Sequence, residues 1–320
     1  MKQTLNHSDF ASDVLTGLSL ENKQLSSKYF YDDRGSRIFQ DIMQMPEYYL
    51  TDCELEIFKS KKHEIYESFV NGDSKYDLIE LGAGDGLKTK VLLSHFTKQK
   101  ASFEYIPIDI SEEAVKNLVL EIKSELPNVM VEGKIGDYFK LMEEINNYDN
   151  SKKILLFLGS NIGNFDYKEA IDFLKNLKGV MHANDMLFIG FDLKKEPEII
   201  LDAYNDPHGH TAAFNLNLLL RINNELGADF DLQAFKHEEF YDPLSGTAKS
   251  YLISLNQQNV KINKLDFDIS FAKDERIFME MSQKFDEELV SELANKSGFQ
   301  IVRNFYDKRQ YFMNSLWKLK

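Results

Sequence analysis

The residues best suited to chemistry open with Asp77-Leu78-Ile79-Glu80-Leu81-Gly82-Ala83-Gly84-Asp85-Gly86. A short apolar run enters a glycine-rich turn, and a helix-like segment, Leu87 to Phe96, follows. Such a strand–loop–helix unit lets backbone approach a nucleoside cofactor, because glycine tolerates φ > 0 and has no Cβ to obstruct the ligand. A dinucleotide fingerprint requires G-x-G-x-x-G and an acidic residue about 20 positions on. Gly82 and Gly84 supply two of those glycines, but the third position is Leu87. The next acid at a strand end is Asp109, in Tyr105-Ile106-Pro107-Ile108-Asp109-Ile110, which is later than a dinucleotide site expects. Asp109 could accept two hydrogen bonds from ribose hydroxyls. Asp137-Tyr138 follows the next strand-like run, where Asp137 could meet a ligand or cap a helix. Lys88 lies just inside the first helix, a poor place for a cation by the helix dipole. Its position suggests a ligand carboxylate; a plain exposed lysine is the alternative.

Further along, Leu158-Gly159-Ser160-Asn161-Ile162-Gly163-Asn164-Phe165 leaves a fourth strand-like run. Asn164 there could reach a substrate amine or carboxylate, or could simply sit in a left-handed turn. Phe30-Tyr31-Asp32-Asp33-Arg34-Gly35-Ser36 and Pro46-Glu47-Tyr48-Tyr49 form a polar-aromatic N-terminal segment that, on its own, reads as aromatic packing. Asp206, His208 and His210 alternate in a short loop without a third strong ligand nearby, so no metal site is expected.

These groups need a frame. From Tyr76 to Asp192 the chain alternates strand-like runs (77–81, 103–109, 129–134, 153–158, 186–192) with helix-like runs (87–97, 112–124, 137–146, 167–180). That rhythm predicts an α/β fold with a parallel, Rossmann-like sheet covered on both faces. Ligands of such sheets sit beyond the carboxyl ends of the strands. Gly82, Asp109, Asp137 and Gly159 all fall at those ends. After Asp192 the rhythm breaks: 198–204 and 212–226 read as helices, 248–255, 260–262 and 267–271 as β structure, and 287–297 as a helix stopped by Gly298. Residues 299–306 and 310–317 read as a closing hairpin that adds to the sheet. The expected division is a sheet domain of 57–193 and 285–320, and a second, discontinuous α+β domain of 1–56 and 194–284 that covers the crevice.

Composition sets the outer bounds. The net charge of −14 argues against nucleic acid and against an anionic membrane surface, since phosphate binding needs clustered Lys and Arg. Cys53 is the only cysteine, which rules out an internal disulfide and fits a reducing cytoplasm. No run is long and apolar enough to span a bilayer, and Met1 to Leu20 has no signal-peptide core. A cytoplasmic monomer that acts on a small molecule is the expectation.

An acid before the glycine loop (Glu80), G-x-G-x-G within it and an acid ending the second strand resemble the S-adenosylmethionine site of class I, Rossmann-like methyltransferases. A wider set of segments resembles one family, the histidine Nα-methyltransferases of ergothioneine biosynthesis and their relatives that methylate other amino-acid amines. The matching stretches are Tyr29 to Ser36, Pro46 to Tyr49, Glu80 to Gly84, Phe157 to Ser160, Ile162 to Phe165, Ala212 to Asn217, Asn224 to Phe230 and Glu280 to Phe285. The resemblance implies that Gly82, Lys88, Asp109, Asp137 and Tyr138 contact S-adenosylmethionine. It implies that Tyr48, Asn164 and Tyr204 hold the amino acid's amino and carboxylate groups, that Tyr31 and Phe39 line the same substrate-binding pocket, and that Glu280 and Ser282 read an imidazole. Tyr31 and Asn164 are the candidates for catalysis, with no certain general base. Histidine-specific members carry Met-His-Leu where this chain has Ser250-Tyr251-Leu252, so Ser250 replaces a pocket-lining methionine. The competing readings are a methyltransferase for another amino acid or an aromatic amine, and a non-catalytic S-adenosylmethionine-binding protein.

Overall fold

A computed structural model describes residues 7–70, 75–136, 138–148 and 151–320, and the side chains of all of these except 7, 8, 138 and 146–148. In chain order the elements are α1 (His7–Leu18), α2 (Asp33–Met43), α3 (Tyr49–Val70), β1 (Tyr76–Leu81), α4 (Thr89–Lys98), β2 (Phe103–Asp109), α5 (Glu112–Glu125), β3 (Met130–Val131), β4 (Lys134–Ile135), α6 (Tyr138–Tyr148), β5 (Lys152–Phe157), α7 (Tyr167–Gly179), β6 (Met186–Asp192), α8 (Pro197–Tyr204), α9 (His210–Leu226), β7 (Phe235–Asp242), β8 (Thr247–Ser254), β9 (Gln258–Ile262), β10 (Phe267–Phe271), β11 (Arg276–Gln283), α10 (Glu287–Ser297), β12 (Phe299–Tyr306) and β13 (Phe312–Leu319). The chain forms two compact units: a first of Met1–Tyr49 and Lys195–Ser282, and a second of Leu50–Lys194 and Gln283–Lys320. Helix α3 runs unbroken through residues 56 and 57, so the division falls at its first turn.

The second unit holds an eight-stranded sheet of order β12-β13-β6-β5-β1-β2-β3, with β4 also paired to β2. Strands β1 to β6 pair in parallel, while β13 runs antiparallel to both β6 and β12. From β1 the chain builds outward through β2 to β3, then crosses back to add β5 and β6 on the other side. The switch point therefore lies between β1 and β5, where ligands of such sheets bind. This is the expected α/β, Rossmann-like class I sheet. Its helices are locally well specified. Ser111 caps α5 by accepting from the Ala114 N–H at 3.2 Å, with Glu112 and Glu113 in the first turn. A reciprocal capping box of Asp166 and Glu169 opens α7. Gly298, at φ 86°, stops α10 as expected.

Three details depart from the sequence reading. Helix α4 starts at Thr89, because Gly86 turns at φ 62° and the Leu87 N–H donates to Asp85 Oδ1. The third strand splits in two around Gly133, where a Cβ would lie 2.4 Å from Val115 Cγ1 of α5. The last strand starts at Phe312, because the buried Asp307 carboxylate takes the N–H groups of Arg309, Tyr311 and Phe312 and holds 307–311 as a turn.

The core of the second unit joins Ile79, Ile108, Leu155 and Ile189 of the sheet to Leu174 of α7, Leu293 of α10 and Trp317 of β13. It also encloses charge. Lys284 Nζ pairs with Asp192 Oδ2 at 2.8 Å, both side chains 0% exposed. Glu80, on β1, accepts from Thr89 Oγ1 at 2.9 Å and from the Tyr105 hydroxyl. Burial pushes its carboxyl up to about 7, with those two hydrogen bonds opposing the shift.

The first unit carries a three-stranded sheet, β11-β8-β7, and a two-stranded one, β10-β9. Strand β7 went unforeseen because Phe235-Lys236-His237-Glu238-Glu239-Phe240-Tyr241-Asp242 is mostly polar. The core of this unit gathers Phe10 and Val14 of α1, Phe214 and Leu218 of α9, Phe235 and Leu252 of β7 and β8, and Ile277 and Met279 of β11.

Two stability outcomes are expected. Lys284→Met leaves Asp192 buried without its countercharge and should cost about 3–5 kcal/mol in thermal or urea unfolding, with part of the loss recovered by adding Asp192→Asn. For Glu80, the folded value lies above the unfolded one. Its contribution is fully present below about pH 4.5 and fades as pH rises through about 7, by roughly 3 kcal/mol at most. Glu80→Gln should therefore show a smaller fall in melting temperature than wild type between pH 5 and 8.

Candidate cofactor and substrate sites

In the second unit the carboxyl ends of β1, β2 and β5 meet at the switch point. Gly82, Gly84 and Gly86 all hold positive φ (72°, 55° and 62°), so the loop after β1 has a shape that side chains rarely adopt. The Gly82 N–H donates to the Ile108 carbonyl at 2.8 Å, pinning the loop to β2. At Gly84 a Cβ would meet nothing within 4 Å, so the loop presents open space above bare backbone. Asp109 lies beside it: Oδ2 accepts from the Gly84 N–H at 3.2 Å and Oδ1 from the Ser111 N–H at 2.9 Å. The carboxylate is half-buried, with acceptor capacity on the solvent side. Open glycine backbone beside a half-buried carboxylate fits a ribose-bearing ligand.

Lys88 has a partner that the sequence did not disclose. Its ammonium meets Glu54 Oε2, the same oxygen that accepts from the Gly159 N–H at 2.9 Å. Glu54 Oε1 accepts from Asn314 Nδ2 at 2.7 Å, and the side chain is 0% exposed. Gly190 makes room for it, since a Cβ there would lie 2.5 Å from Oε1. Lys88 keeps 18% of its side chain exposed, enough to turn N–H groups outward.

After β5, Ser160 adopts φ 59°, and its hydroxyl accepts from the Asp192 N–H at 2.9 Å. A short 3₁₀ turn follows, Asn161–Asn164, with Asn164 exposed at its end. Gly163 presses on the backbone of Gln283, where a Cβ would sit 2.8 Å from the carbonyl oxygen. Asp137 and the side chain of Tyr138 lie outside the described residues.

In the first unit a run of aromatic rings joins the residues implied for the substrate. Tyr31 and Phe39 lie 5.4 Å apart, centroid to centroid, and pack on Phe214 at 5.4 and 5.7 Å. Phe39 meets Tyr48 at 6.1 Å, and Tyr48 meets Tyr204 at 6.2 Å. The Tyr204 hydroxyl hydrogen-bonds Ser282 Oγ at 3.1 Å. Ile277 and Met279 point into the core, so Glu280 and Ser282 share the alternate face of β11. Asp32 of the N-terminal motif is scaffolding. Asp32 Oδ1 accepts from the Gly35 N–H at 2.7 Å and from Asn217 Nδ2 at 2.8 Å, fixing the start of α2 against α9. A Cβ at Gly35 would lie 1.8 Å from the Phe30 carbonyl oxygen. Asp206, by contrast, caps α9, accepting from the N–H groups of His210 and Thr211 at 2.9 and 2.8 Å.

Sequence reasoning thus named Gly82, Lys88 and Asp109 in one unit and Tyr31, Phe39, Tyr48, Tyr204 and Ser282 in the other. It missed Glu54, which carries no local motif, and gave Phe214 no role of its own.

Comparison with known proteins agrees with this picture. The chain is 33% identical over 310 residues to a histidine N-alpha-methyltransferase of Mycobacterium tuberculosis, covering 97% of this chain and 95% of that one. It is 34% identical over 283 residues to a histidine N-alpha-methyltransferase of Mycolicibacterium smegmatis, covering 88% of this chain and 86% of that one. It is 30% identical over 293 residues to ergothioneine biosynthesis protein 1 of Schizosaccharomyces pombe, covering 90% of this chain but 38% of that longer protein. The model of the histidine-specific, SAM-dependent methyltransferases matches residues 10–319, and with an open glycine loop, an adjacent strand-end carboxylate and a class I strand order in place, the chain belongs to that family.

Proposed function

We propose that this protein methylates the α-amine of free L-histidine, up to the Nα-trimethylated betaine, as a step toward ergothioneine. The observation that carries the substrate assignment is the Tyr204–Ser282 hydrogen bond. It ties a residue proposed to hold the amino acid's backbone groups to one proposed to read its ring, beside the aromatic run of the same unit. Likeness to two histidine N-alpha-methyltransferases over most of the chain supports the same reading.

Bound S-adenosylmethionine supplies a methyl group already activated on a sulfonium. The protein's own task is to align and to keep the reacting amine neutral. In the second unit, Gly82 and Gly84 offer close backbone approach, Asp109 takes the ribose hydroxyls, Lys88 takes the cofactor carboxylate, and Asp137 and Tyr138 hold the adenine. Asn164 is assigned to the substrate amine or carboxylate. In the first unit, Tyr48 and Tyr204 orient the zwitterion through neutral hydroxyls, which tolerate a nitrogen that grows bulkier with each methyl group. Tyr31 and Phe39 line the pocket; Tyr31, or a water held by Asn164, accepts the amine proton. Glu280 takes the imidazole N–H and Ser282 serves the other ring nitrogen. A site built for those bonds rejects an apolar side chain, because it would leave a carboxylate unpaired.

No helix among the described residues is long and apolar enough to cross a membrane. A cytoplasmic monomer acting on a small molecule, without nucleic acid, is the accompanying proposal, supported by the charge of −14 and the single buried cysteine.

Mass spectrometry of reactions with S-adenosylmethionine and each of the twenty amino acids should show histidine gaining up to three methyl groups. Glu280→Ala should weaken histidine about tenfold or more in calorimetry, with cofactor affinity held within about twofold. Methylation of a different amino acid, or equal losses for both ligands, would reject the histidine assignment. Lys88→Ala should weaken S-adenosylhomocysteine about tenfold and leave 5′-methylthioadenosine, which lacks the carboxylate, unchanged. Equal losses for the two nucleosides would show that Lys88 serves only the packing of Glu54.

A further inference from the structure

The turn after β5 brings a second polar group to the place where Lys88 points. Gly159 holds φ 70° and carries no Cβ. A Cβ there would meet, chain neighbours aside, two atoms within 4 Å: Lys88 Nζ at 3.5 Å and Asn161 Oδ1 at 3.8 Å. The space over the bare Gly159 Cα is therefore flanked by a cation and by an amide oxygen. Lys88, Gly159 and Asn161 all belong to the second unit. They follow β1 and β5, on the edge that also carries the open Gly84 loop and Asp109.

Asn161 lacks the usual structural reasons for its residue type. The left-handed residue of this turn is Ser160, at φ 59°, and not Asn161. No hydrogen bond joins its side-chain amide to a described residue. It is half-buried, so the amide is placed without being sealed in. Lys88 gives Glu54 one of its ammonium N–H groups and keeps the others.

A cation and a neutral acceptor flanking one gap suit a group that is itself both anion and cation. Two molecules of the reaction have such an end: the amino acid, and S-adenosylmethionine through its methionyl carboxylate and ammonium. The chemistry of transfer chooses between them. The substrate nitrogen must be neutral to attack, and it loses N–H groups as methyls accumulate, so a fixed acceptor for an ammonium serves it poorly. The cofactor ammonium keeps all its donors, in S-adenosylmethionine and in S-adenosylhomocysteine alike.

We infer that Asn161 Oδ1 accepts a hydrogen bond from the methionyl ammonium of the cofactor, beside the carboxylate held by Lys88, and so completes recognition of that zwitterion. This rests on the reading of Lys88 as the carboxylate partner. A neutral amide is the acceptor that fits here. An aspartate in its place would pair with Lys88 and draw the cation away from the cofactor.

Calorimetry on the protein compares S-adenosylhomocysteine with two trimmed nucleosides. One is 5′-S-(3-carboxypropyl)-5′-thioadenosine, which lacks the amine; the other is 5′-S-(3-aminopropyl)-5′-thioadenosine, which lacks the carboxylate. Asn161→Ala should weaken S-adenosylhomocysteine and the aminopropyl nucleoside about tenfold and leave the carboxypropyl nucleoside unchanged. Lys88→Ala should show the mirror pattern, weakening the carboxypropyl nucleoside and sparing the aminopropyl one. Equal losses for all three ligands in Asn161→Ala mark a role in shaping the turn and overturn the proposal, as does an unchanged affinity for S-adenosylhomocysteine. A loss confined to L-histidine, titrated into the S-adenosylhomocysteine complex, assigns Asn161 to the substrate and overturns it too. If Asn161→Ala does not fold, Asn161→Leu, of nearly the same shape, decides by the same comparison. Equal losses for all three ligands in Lys88→Ala overturn the Lys88 reading and this inference together. The mirror pattern in Lys88→Ala, beside unmoved affinities in Asn161→Ala, overturns only the role of Asn161.

Discussion

One buried carboxylate organises the second unit's ligand-facing edge. Glu54 projects from α3 and is fully enclosed, yet it contacts the ammonium of Lys88 after β1, the backbone of Gly159 after β5 and the amide of Asn314 on β13. Gly190 on β6 is bare so that it fits. The ends of four strands thus converge on one anion. A carboxylate removed from water is costly unless paired and hydrogen-bonded, and here each oxygen has a partner. The same contacts set where Lys88 points and where the turn that carries Ser160 and Asn164 begins. A sheet alone would define a crevice; this carboxylate fixes what its rim can present.

The first unit uses a different device for the same end. The Asp32 carboxylate starts α2 and bonds to Asn217 of α9, so two helices far apart in sequence share one oxygen. Phe214, one turn before Leu218, then has Tyr31 and Phe39 packed on its ring. Aromatic rings in tilted and edge-on contact hold one another's orientation, which neutral hydroxyls on flexible stems could not do. The ring run therefore depends on a polar lock at its base. The matching motif residues divide into the lock (Asp32, Gly35, Asn217) and the rings that it aims.

Much of this was legible in the sequence wherever a local rule applied. The alternation of apolar runs with capped helices gave the parallel sheet, since Ser111, Asp166 and Gly298 mark helix ends by chemistry that needs no tertiary context. Gly82, Gly84 and Asp109 were readable because positive φ and a strand-end acid leave a spacing. What escaped depended on long-range contact. Glu54 looks like any helix acid, and only its packing against residues over a hundred positions away makes it central. Strand β7 has no apolar alternation, because Glu239 and His237 stand where a hydrophobic pattern would put Val or Leu. The break of the third strand at Gly133 follows from the close pass of α5, which no local pattern encodes.

The acids of this chain show why net charge alone says little about its ligands. Among the described residues, Asp192 and Glu54 are enclosed and each holds an ammonium. Glu80 is also enclosed, and burial pushes its carboxyl up against the opposing pull of two hydroxyl hydrogen bonds. Asp109 is half-buried, takes two backbone N–H groups and faces the open glycine loop. A carboxylate matched by a protein cation spends its charge on the fold. One raised by burial and bonded to hydroxyls anchors packing. One steadied by backbone N–H groups beside open space keeps acceptor sites for a hydroxyl-bearing ligand. Sorted this way, Asp109 stands beside the open loop, while Glu54 holds the lysine and Glu80 the start of α4 around it.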